Sequence, residues 1–217
     1  MSLSLGVLAS GSGSNLQAIL DATEQGRLDA RVAVVVSDNP EAYALERARR
    51  HGVPTVVIPF GESATREEHD RRVLRALREH GVDTVALAGY MRLVSRVLLA
   101  AFPARVLNIH PALLPAFPGL HVHEKVLAHG VKFSGCTVHF VDEGMDTGPI
   151  IIQAVVPVRD DDTPEALAAR ILREEHRIYP QALQYLAEGR LRMRGRRVFV
   201  EPPSPGSGTL HNPAVRY

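Results

Sequence analysis

The first half of the chain alternates short apolar runs with stretches of helical periodicity, and this alternation limits the fold more than any other feature. The runs from Leu3 to Ala9 and from Val32 to Val36 are continuous and apolar, which is typical of strands buried on both faces. From Thr65 to His80 the apolar residues lie on one face of a predicted helix. Further elements are expected as strands at 55–58, 85–88 and 106–109, and as helices after residue 15, at 40–50 and at 95–101. The pattern predicts an α/β fold with a mostly parallel, doubly wound sheet covered by helices on both faces.

The second half of the chain departs from that alternation. Cys136 to Val141 and Ile150 to Val158 are consecutive predicted strands with no long helix between them, so we expect antiparallel strands added to the parallel sheet. Thr163-Pro164 is typical of a helix start, and a terminal hairpin is expected at 190–200. Residues 1–201 are therefore predicted to form a single domain. Residues 202–217 are rich in Pro, Gly and Ser and are predicted to be a flexible tail.

Composition narrows the possible partners. The formal net charge is +1, so no global field favours nucleic acid or a membrane, and an anionic ligand needs a local site. The hairpin arginines are interpreted as a charged edge that prevents sheet pairing rather than as an RNA surface. No run is long enough to span a membrane, no signal peptide is recognisable, and Cys136 is the only cysteine. These features predict a cytoplasmic protein without an internal disulfide. A monomer or a homodimer is expected, although these features do not distinguish between the two.

The segment from Ser10 to Asn15 lies between the first predicted strand and the first predicted helix. Its two glycines allow a tight turn, and free backbone amides together with the helix dipole favour a bound anion. Leu16 stands where a dinucleotide-binding loop has its third glycine, so a single phosphate fits better than a pyrophosphate. The alternative is an ordinary strand-to-helix turn with a helix N-cap.

A second candidate site follows the predicted strand that ends at Ile109. Asn108 and His110 point to the same side by strand alternation, and ligands of open α/β sheets bind beyond the carboxyl ends of strands. The proline-rich segment 111–119 and the acidic turn 142–149 are predicted to be irregular, and the turn could bring Asp146 to His110. The alternatives are a core histidine and a solvated acidic turn. No metal site is expected, because the other histidines lack the spacing of a ligand set.

At these residues the chain resembles the phosphoribosylglycinamide formyltransferases, also called glycinamide ribonucleotide transformylases. The resemblance runs from about Leu5 to Met193. It is carried by the segments 10–19, 87–92, 108–111, 118–121, 138–141, 146–150 and 175–180, whose order and spacing are specific to the family. It implies a Rossmann-like formyltransferase fold with antiparallel strands in the C-terminal half. It also implies 10-formyltetrahydrofolate as co-substrate, glycinamide ribonucleotide as acceptor and no metal.

The resemblance also implies roles for individual residues. The substrate phosphate would bind at Gly13, Ser14 and Asn15, and the glycinamide substrate at Glu175. Folate would contact Arg66, Met91, Arg92, Leu93, Val94, Asn108, Asp142, Glu143, Gly144 and Met145. Leu172 departs from the family pattern, since some members carry Gln there, which leaves the nearby substrate contacts open.

The predicted reaction is a direct formyl transfer in purine biosynthesis. Asn108 and His110 would stabilise the tetrahedral oxyanion, and Asp146 would keep His110 charged. The rival functions are a formyltetrahydrofolate hydrolase, an initiator-tRNA formylating enzyme and a non-catalytic nucleotide-binding module. The hydrolase would need an extra N-terminal domain, which is not expected because the first predicted strand already begins at about Leu3. The tRNA-formylating enzyme would need an extra C-terminal domain.

Overall fold

The fold was obtained as a computed structural model and is described for residues 2–203. The strands are β1 Leu3–Leu8, β2 Ala30–Ser37, β3 Thr55–Val57, β4 Thr84–Leu87, β5 Val106–His110, β6 Phe133–Phe140, β7 Ile150–Pro157, β8 Leu191–Arg194 and β9 Arg197–Val200. The helices are α1 Ser14–Glu24, α2 Tyr43–Arg50, α3 Arg66–Glu79, α4 Arg96–Ala101, α5 Val122–His129 and α6 Pro164–Ala187, with a short 3-10 turn at Phe60–Glu62.

Seven strands form one sheet in the order β3-β2-β1-β4-β5-β6-β7. The first five strands run parallel, whereas β6 and β7 are antiparallel additions next to β5. The predicted mixed sheet is therefore confirmed. The strand order reverses between β1 and β4, and such a switch point leaves an open crevice at the carboxyl ends of the strands.

Each face of the sheet carries its own apolar core. On one face α1 and α6 contribute residues such as Leu16, Ile19 and Ile171, all fully buried. On the other face Val73 of α3 and Leu98 of α4 pack against the sheet. These two layers of apolar contact make the sheet a rigid support for the loops at its carboxyl edge.

One predicted helix boundary needs correction, and one helix was not predicted. The second helix begins at Tyr43 rather than Pro40, because Asn39 accepts a hydrogen bond from the Glu41 amide and holds residues 39–42 in a turn. Helix α5 was not predicted, since the histidines before and within it obscured its short apolar face. Most of the predicted tail at 202–217 lies outside the described residues. Within residues 2–203, no helix is long and apolar enough to cross a membrane.

Candidate active site

A pocket of about 530 Å³ opens at the carboxyl ends of β4 and β5, and we call it the central pocket. The segment 89–94 that follows β4 forms one wall, and the loop 141–146 between β6 and β7 forms another. Asn108, His110 and Asp146 all line it. The pocket therefore lies at the carboxyl edge of the parallel strands, one strand away from the switch point between β1 and β4.

His110 lies between two oxygen acceptors. Its Nδ1 is 3.3 Å from Oδ2 of Asp146, and its Nε2 is 2.9 Å from the carbonyl oxygen of Phe117. The carboxylate of Asp146 also accepts a hydrogen bond from the Gly119 amide at 2.8 Å. A neutral imidazole can donate from only one nitrogen, so this arrangement suits the doubly protonated ring.

His139 orients Asn108 and was missed as a site residue by sequence reasoning. The two residues face each other across the antiparallel pair β5 and β6. Nδ1 of His139 donates to the Phe140 carbonyl at 2.8 Å, so its Nε2 is free to accept from the Asn108 amide nitrogen at 3.2 Å. Burial lowers the pKa of His139, which keeps it neutral and able to accept. The second amide hydrogen of Asn108 remains available for a ligand.

Large apolar side chains are exposed around the central pocket. Met91 is 61% exposed, Leu120 63% and Met145 51%, whereas most other large apolar side chains are buried in the core. Exposed apolar groups around a concave site are typical of a binding surface for a flat, partly apolar ligand.

Eight of the ten residues expected to contact folate line the central pocket: Met91, Arg92, Leu93, Val94, Asn108, Asp142, Gly144 and Met145. The other two do not. Arg66 is the first residue of α3, outside the pocket. Glu143 is exposed and pairs with Arg96 at 3.0 Å.

The wall formed by segment 89–94 is anchored by residues outside the pocket. The Ser10 hydroxyl accepts from the Met91 amide at 2.9 Å. The buried carboxylate of Asp38 pairs with Nε of Arg92 at 2.7 Å, and the Arg92 guanidinium stacks on the Phe60 ring at 4.5 Å. His69 contacts the Tyr90 hydroxyl at 2.8 Å. The position of this wall therefore depends on several independent contacts.

The glycine loop packs tightly against α2. Gly13 has φ 69°, and a Cβ there would lie 2.6 Å from Cα of Ala44. Only glycine combines that conformation with such close approach. Ser14, the first residue of α1, lines a second cavity of about 260 Å³ that also involves Gln17, Arg47 and His176, and we call it the arginine cavity.

Asn15 and Glu175, which are both predicted to bind the amine substrate, are in direct contact. The Asn15 amide nitrogen donates to Oε2 of Glu175 at 2.7 Å, and both side chains are buried. Burial raises the pKa of Glu175, while the hydrogen bond from Asn15 opposes that rise. Within the described part of the chain, no cluster of three or more His, Cys, Asp or Glu could hold a metal ion.

The fold and the pocket define an α/β enzyme of the formyl transferase class, and comparison with known proteins agrees. The sequence profile of the family described as "Formyl transferase" matches residues 4–183. The chain belongs to this family.

The individual relatives are named as glycinamide ribonucleotide transformylases, as phosphoribosylglycinamide formyltransferases or as a trifunctional purine biosynthetic protein. The chain is similar to the glycinamide ribonucleotide transformylase 1 of Symbiobacterium toebii, with 57% identity and a TM-score of 0.90 over 91% of this chain and 93% of that one. It is 42% identical to the phosphoribosylglycinamide formyltransferase of Escherichia coli, over 86% of this chain and 88% of that protein. It is also 47% identical to the trifunctional purine biosynthetic protein adenosine-3 of Drosophila melanogaster. That match covers 84% of this chain but only 14% of the fly protein.

Proposed function

We propose that the protein transfers the formyl group of 10-formyltetrahydrofolate to the amine of glycinamide ribonucleotide, in purine biosynthesis. One observation carries this proposal: Asn108, His110 and Asp146 meet on the wall of a pocket with an apolar rim, close to a glycine loop suited to phosphate. The relatives' names support formyl transfer and glycinamide ribonucleotide as the acceptor. A cytoplasmic location and a monomeric or dimeric state are part of the same proposal.

The central pocket would hold the folate. Its exposed apolar rim would be covered by the flat pterin and benzoyl rings, with a gain of about 25 cal/mol for each Å² of apolar surface removed from water. The polar groups at its inner end, Asn108 and His110, would then face the formyl group on N10. The ribonucleotide would extend from the glycine loop, past Glu175, to the same point.

The reaction would proceed by direct attack. The amine nitrogen forms a bond to the formyl carbon, and the carbonyl oxygen becomes an oxyanion that accepts hydrogen bonds from Asn108 and His110. The intermediate then breaks its bond to N10 of the folate. The proton lost by the attacking nitrogen reaches N10 with help from Asp146, through water. Such hydrogen-bond donors contribute about 3–4 kcal/mol each to the transition state.

His110 already donates a hydrogen bond to the protein, and the mechanism requires that this bond be replaced by one to the substrate. Nε2 of His110 donates to the Phe117 carbonyl, while Nδ1 lies next to Asp146. The formyl oxygen would replace the Phe117 carbonyl as the acceptor at Nε2, and Asp146 would stay at Nδ1. Binding of folate should therefore displace the segment around Phe117.

The test is an assay of the purified protein with 10-formyltetrahydrofolate, with and without glycinamide ribonucleotide. Formylated ribonucleotide and tetrahydrofolate, formed only when the amine is present, are the expected products. Release of formate without the amine would mean a hydrolase. Binding of either ligand without any product would mean a non-catalytic module.

A further inference from the structure

Arg47 is a cation beside the glycine loop whose two hydrogen bonds go to neutral oxygens. It lies on α2, the helix that packs against Gly13. Its Nε donates to the Ser12 carbonyl at 2.9 Å, and its Nη1 donates to Oε1 of Gln17 at 3.1 Å. Between residues 2 and 203, no carboxylate forms an ion pair with it. Its guanidinium lies 4.9 Å from the centre of the Tyr43 ring, but within these residues no carboxylate neutralises its charge.

Gln17 holds the Arg47 guanidinium through a fixed amide orientation. Its Nε2 lies 2.8 Å from Oδ1 of Asp21, which as a carboxylate can only accept, so its Oε1 must face Arg47. Nε2 of His51 lies 2.9 Å from the same amide nitrogen, and Nδ1 of His51 is 2.5 Å from Glu24. Nδ1 therefore donates to Glu24, and Nε2 accepts from Gln17. The network leaves the amide only one satisfactory orientation.

The arginine cavity has unused donors at the end next to the glycine loop. Five N–H groups belong to a guanidinium, and the hydrogen bonds of Arg47 use two of them. Nε2 of His176, which also lines this cavity, is buried without a hydrogen-bond partner and is a further donor in the tautomer that carries hydrogen on Nε2. Asp21 and Arg27 also line this cavity, so a carboxylate that repels anions lies there beside a second guanidinium, which is hydrogen-bonded to Gln25. Because Ser14 begins α1 next to the glycine loop, the Ser14–Arg47 end combines a guanidinium with free helix amides, and an anion is favoured there.

We propose that Arg47 neutralises the phosphate of the amine substrate and that Gln17 is the positioning residue that holds its guanidinium at the glycine loop. This rests on the proposed function and deepens it, because it assigns the phosphate contact to a residue outside the loop. A charged arginine offers a planar pair of donors to phosphate oxygens, which backbone amides alone do not.

The competing explanation is that Arg47 only stiffens the loop through the Ser12 carbonyl. A structural role would affect substrates with and without phosphate alike, so the two substrates separate the explanations. The measurement is kcat/KM for glycinamide ribonucleotide and for glycinamide riboside, its dephosphorylated form. The competitive inhibition constant of ribose 5-phosphate gives a second reading, which does not require the riboside to react.

For Arg47→Gln we expect kcat/KM to fall by about 10- to 100-fold with the ribonucleotide and by less than about two-fold with the riboside, since a charge-assisted hydrogen bond is lost. Inhibition by ribose 5-phosphate should weaken by a similar factor. Arg47→Lys should recover part of the loss, because it keeps the charge without the planar donors. The KM for folate should not change.

For Gln17→Glu we expect a loss of the same kind, although the shape is kept, because a carboxylate would neutralise Arg47 and compete with the phosphate. The matched control is Arg50→Gln, which removes the same charge from the same helix but from a residue paired with Glu46. It should leave both substrates unaffected.

Equal losses with ribonucleotide and riboside in Arg47→Gln would overturn the proposal and leave a structural role. An unchanged inhibition constant for ribose 5-phosphate would also overturn it. Neither result would contradict the proposed function, which is wrong only if the unmodified protein does not transfer formyl groups.

Discussion

Asp146 lies 3.3 Å from the His110 ring, and its own backbone conformation is unusual. It has φ 57°, a left-handed backbone conformation that costs free energy in a residue other than glycine. Its carboxylate lies between the Gly119 amide and the His110 ring. Strain held at a residue with such contacts is typical of a functional site.

Asp146→Asn tests this residue directly. The amide keeps the shape but cannot stabilise an imidazolium, so we expect kcat to fall by about 10²–10⁴-fold. The KM for the ribonucleotide should change less than about two-fold. Asp160→Asn, at an exposed residue paired with Lys132 outside the pocket, is the control and should have normal kinetics. Near-normal turnover in Asp146→Asn would remove Asp146 from the mechanism.

The Gly13→Ala variant tests whether the glycine loop binds the substrate phosphate. An added methyl group at Gly13 meets the Ala44 backbone and is strained by the positive φ, so Gly13→Ala should displace the loop. We expect the KM for the ribonucleotide to rise by about ten-fold or more, since the phosphate contacts depend on loop geometry, while folate affinity stays normal.

Gly11 provides the comparison in the same loop. A Cβ at Gly11 meets nothing within 4 Å, so Gly11→Ala should be tolerated. Calorimetric titration of both ligands with both variants makes the comparison. Loss of folate binding in Gly13→Ala, with the ribonucleotide unaffected, would reverse the assignment of the two sites.

At the scale of elements, segment 89–94 depends on a buried ion pair. The Asp38 side chain is 3% exposed and Arg92 is 42% exposed, so the pair lies at the boundary between core and pocket. Asp38→Asn keeps the shape but removes the charge that holds Arg92. We expect the KM for folate to rise by about three- to ten-fold, a modest factor because Arg92 is partly solvated, with kcat unchanged.

Steady-state kinetics with each substrate varied in turn would measure that change. Glu62→Gln is the control, because it removes an exposed ion pair with Arg72 next to the same Phe60 turn. If Asp38→Asn raised the KM for the ribonucleotide as much as that for folate, Asp38 would have a general structural role instead.

The elements also show what the sequence can predict and why. The position of Asn108 and His110 was predictable, because alternation along one strand is a local property. The contact of Asn108 with His139 was not, since it depends on the register of β6 against β5. Arg47 is one of several charged residues in the predicted helix at 40–50, and the sequence does not distinguish it from the others. Its contacts with Ser12 and Gln17 depend on how α2 packs against the glycine loop.

At the scale of the whole molecule, buried ionisable groups control how stability depends on pH. Burial is the main cause that lowers the pKa of four histidines, namely His69, His123, His139 and His176. Burial also raises the pKa of two carboxyls, Asp70 and Glu175. The histidines are neutral in the folded state and gain protons on unfolding below a pH of about 6.5. The carboxyls lose protons on unfolding above a pH of about 4.5.

The two effects have opposite signs, and we expect the four histidines together to outweigh the two carboxyls below a pH of about 6.5. Where the unfolded state binds more protons, the free energy of unfolding rises with pH. We therefore expect it to fall by about 1–2 kcal/mol between pH 7.5 and 5.5, a value reduced for partial solvation of His123 and His176. Urea unfolding at a series of pH values would measure this.

Two variants test the sign of the histidine and carboxyl contributions to the pH dependence of the free energy of unfolding. His69→Gln can still bond to Tyr90 but takes up no proton, so the dependence on pH should become shallower. Glu175→Gln keeps the contact with Asn15 but removes an opposing contribution, so the dependence should become steeper. If both variants changed the slope in the same direction, proton uptake by buried side chains would not explain the acid sensitivity. Loss of packing would then be the cause.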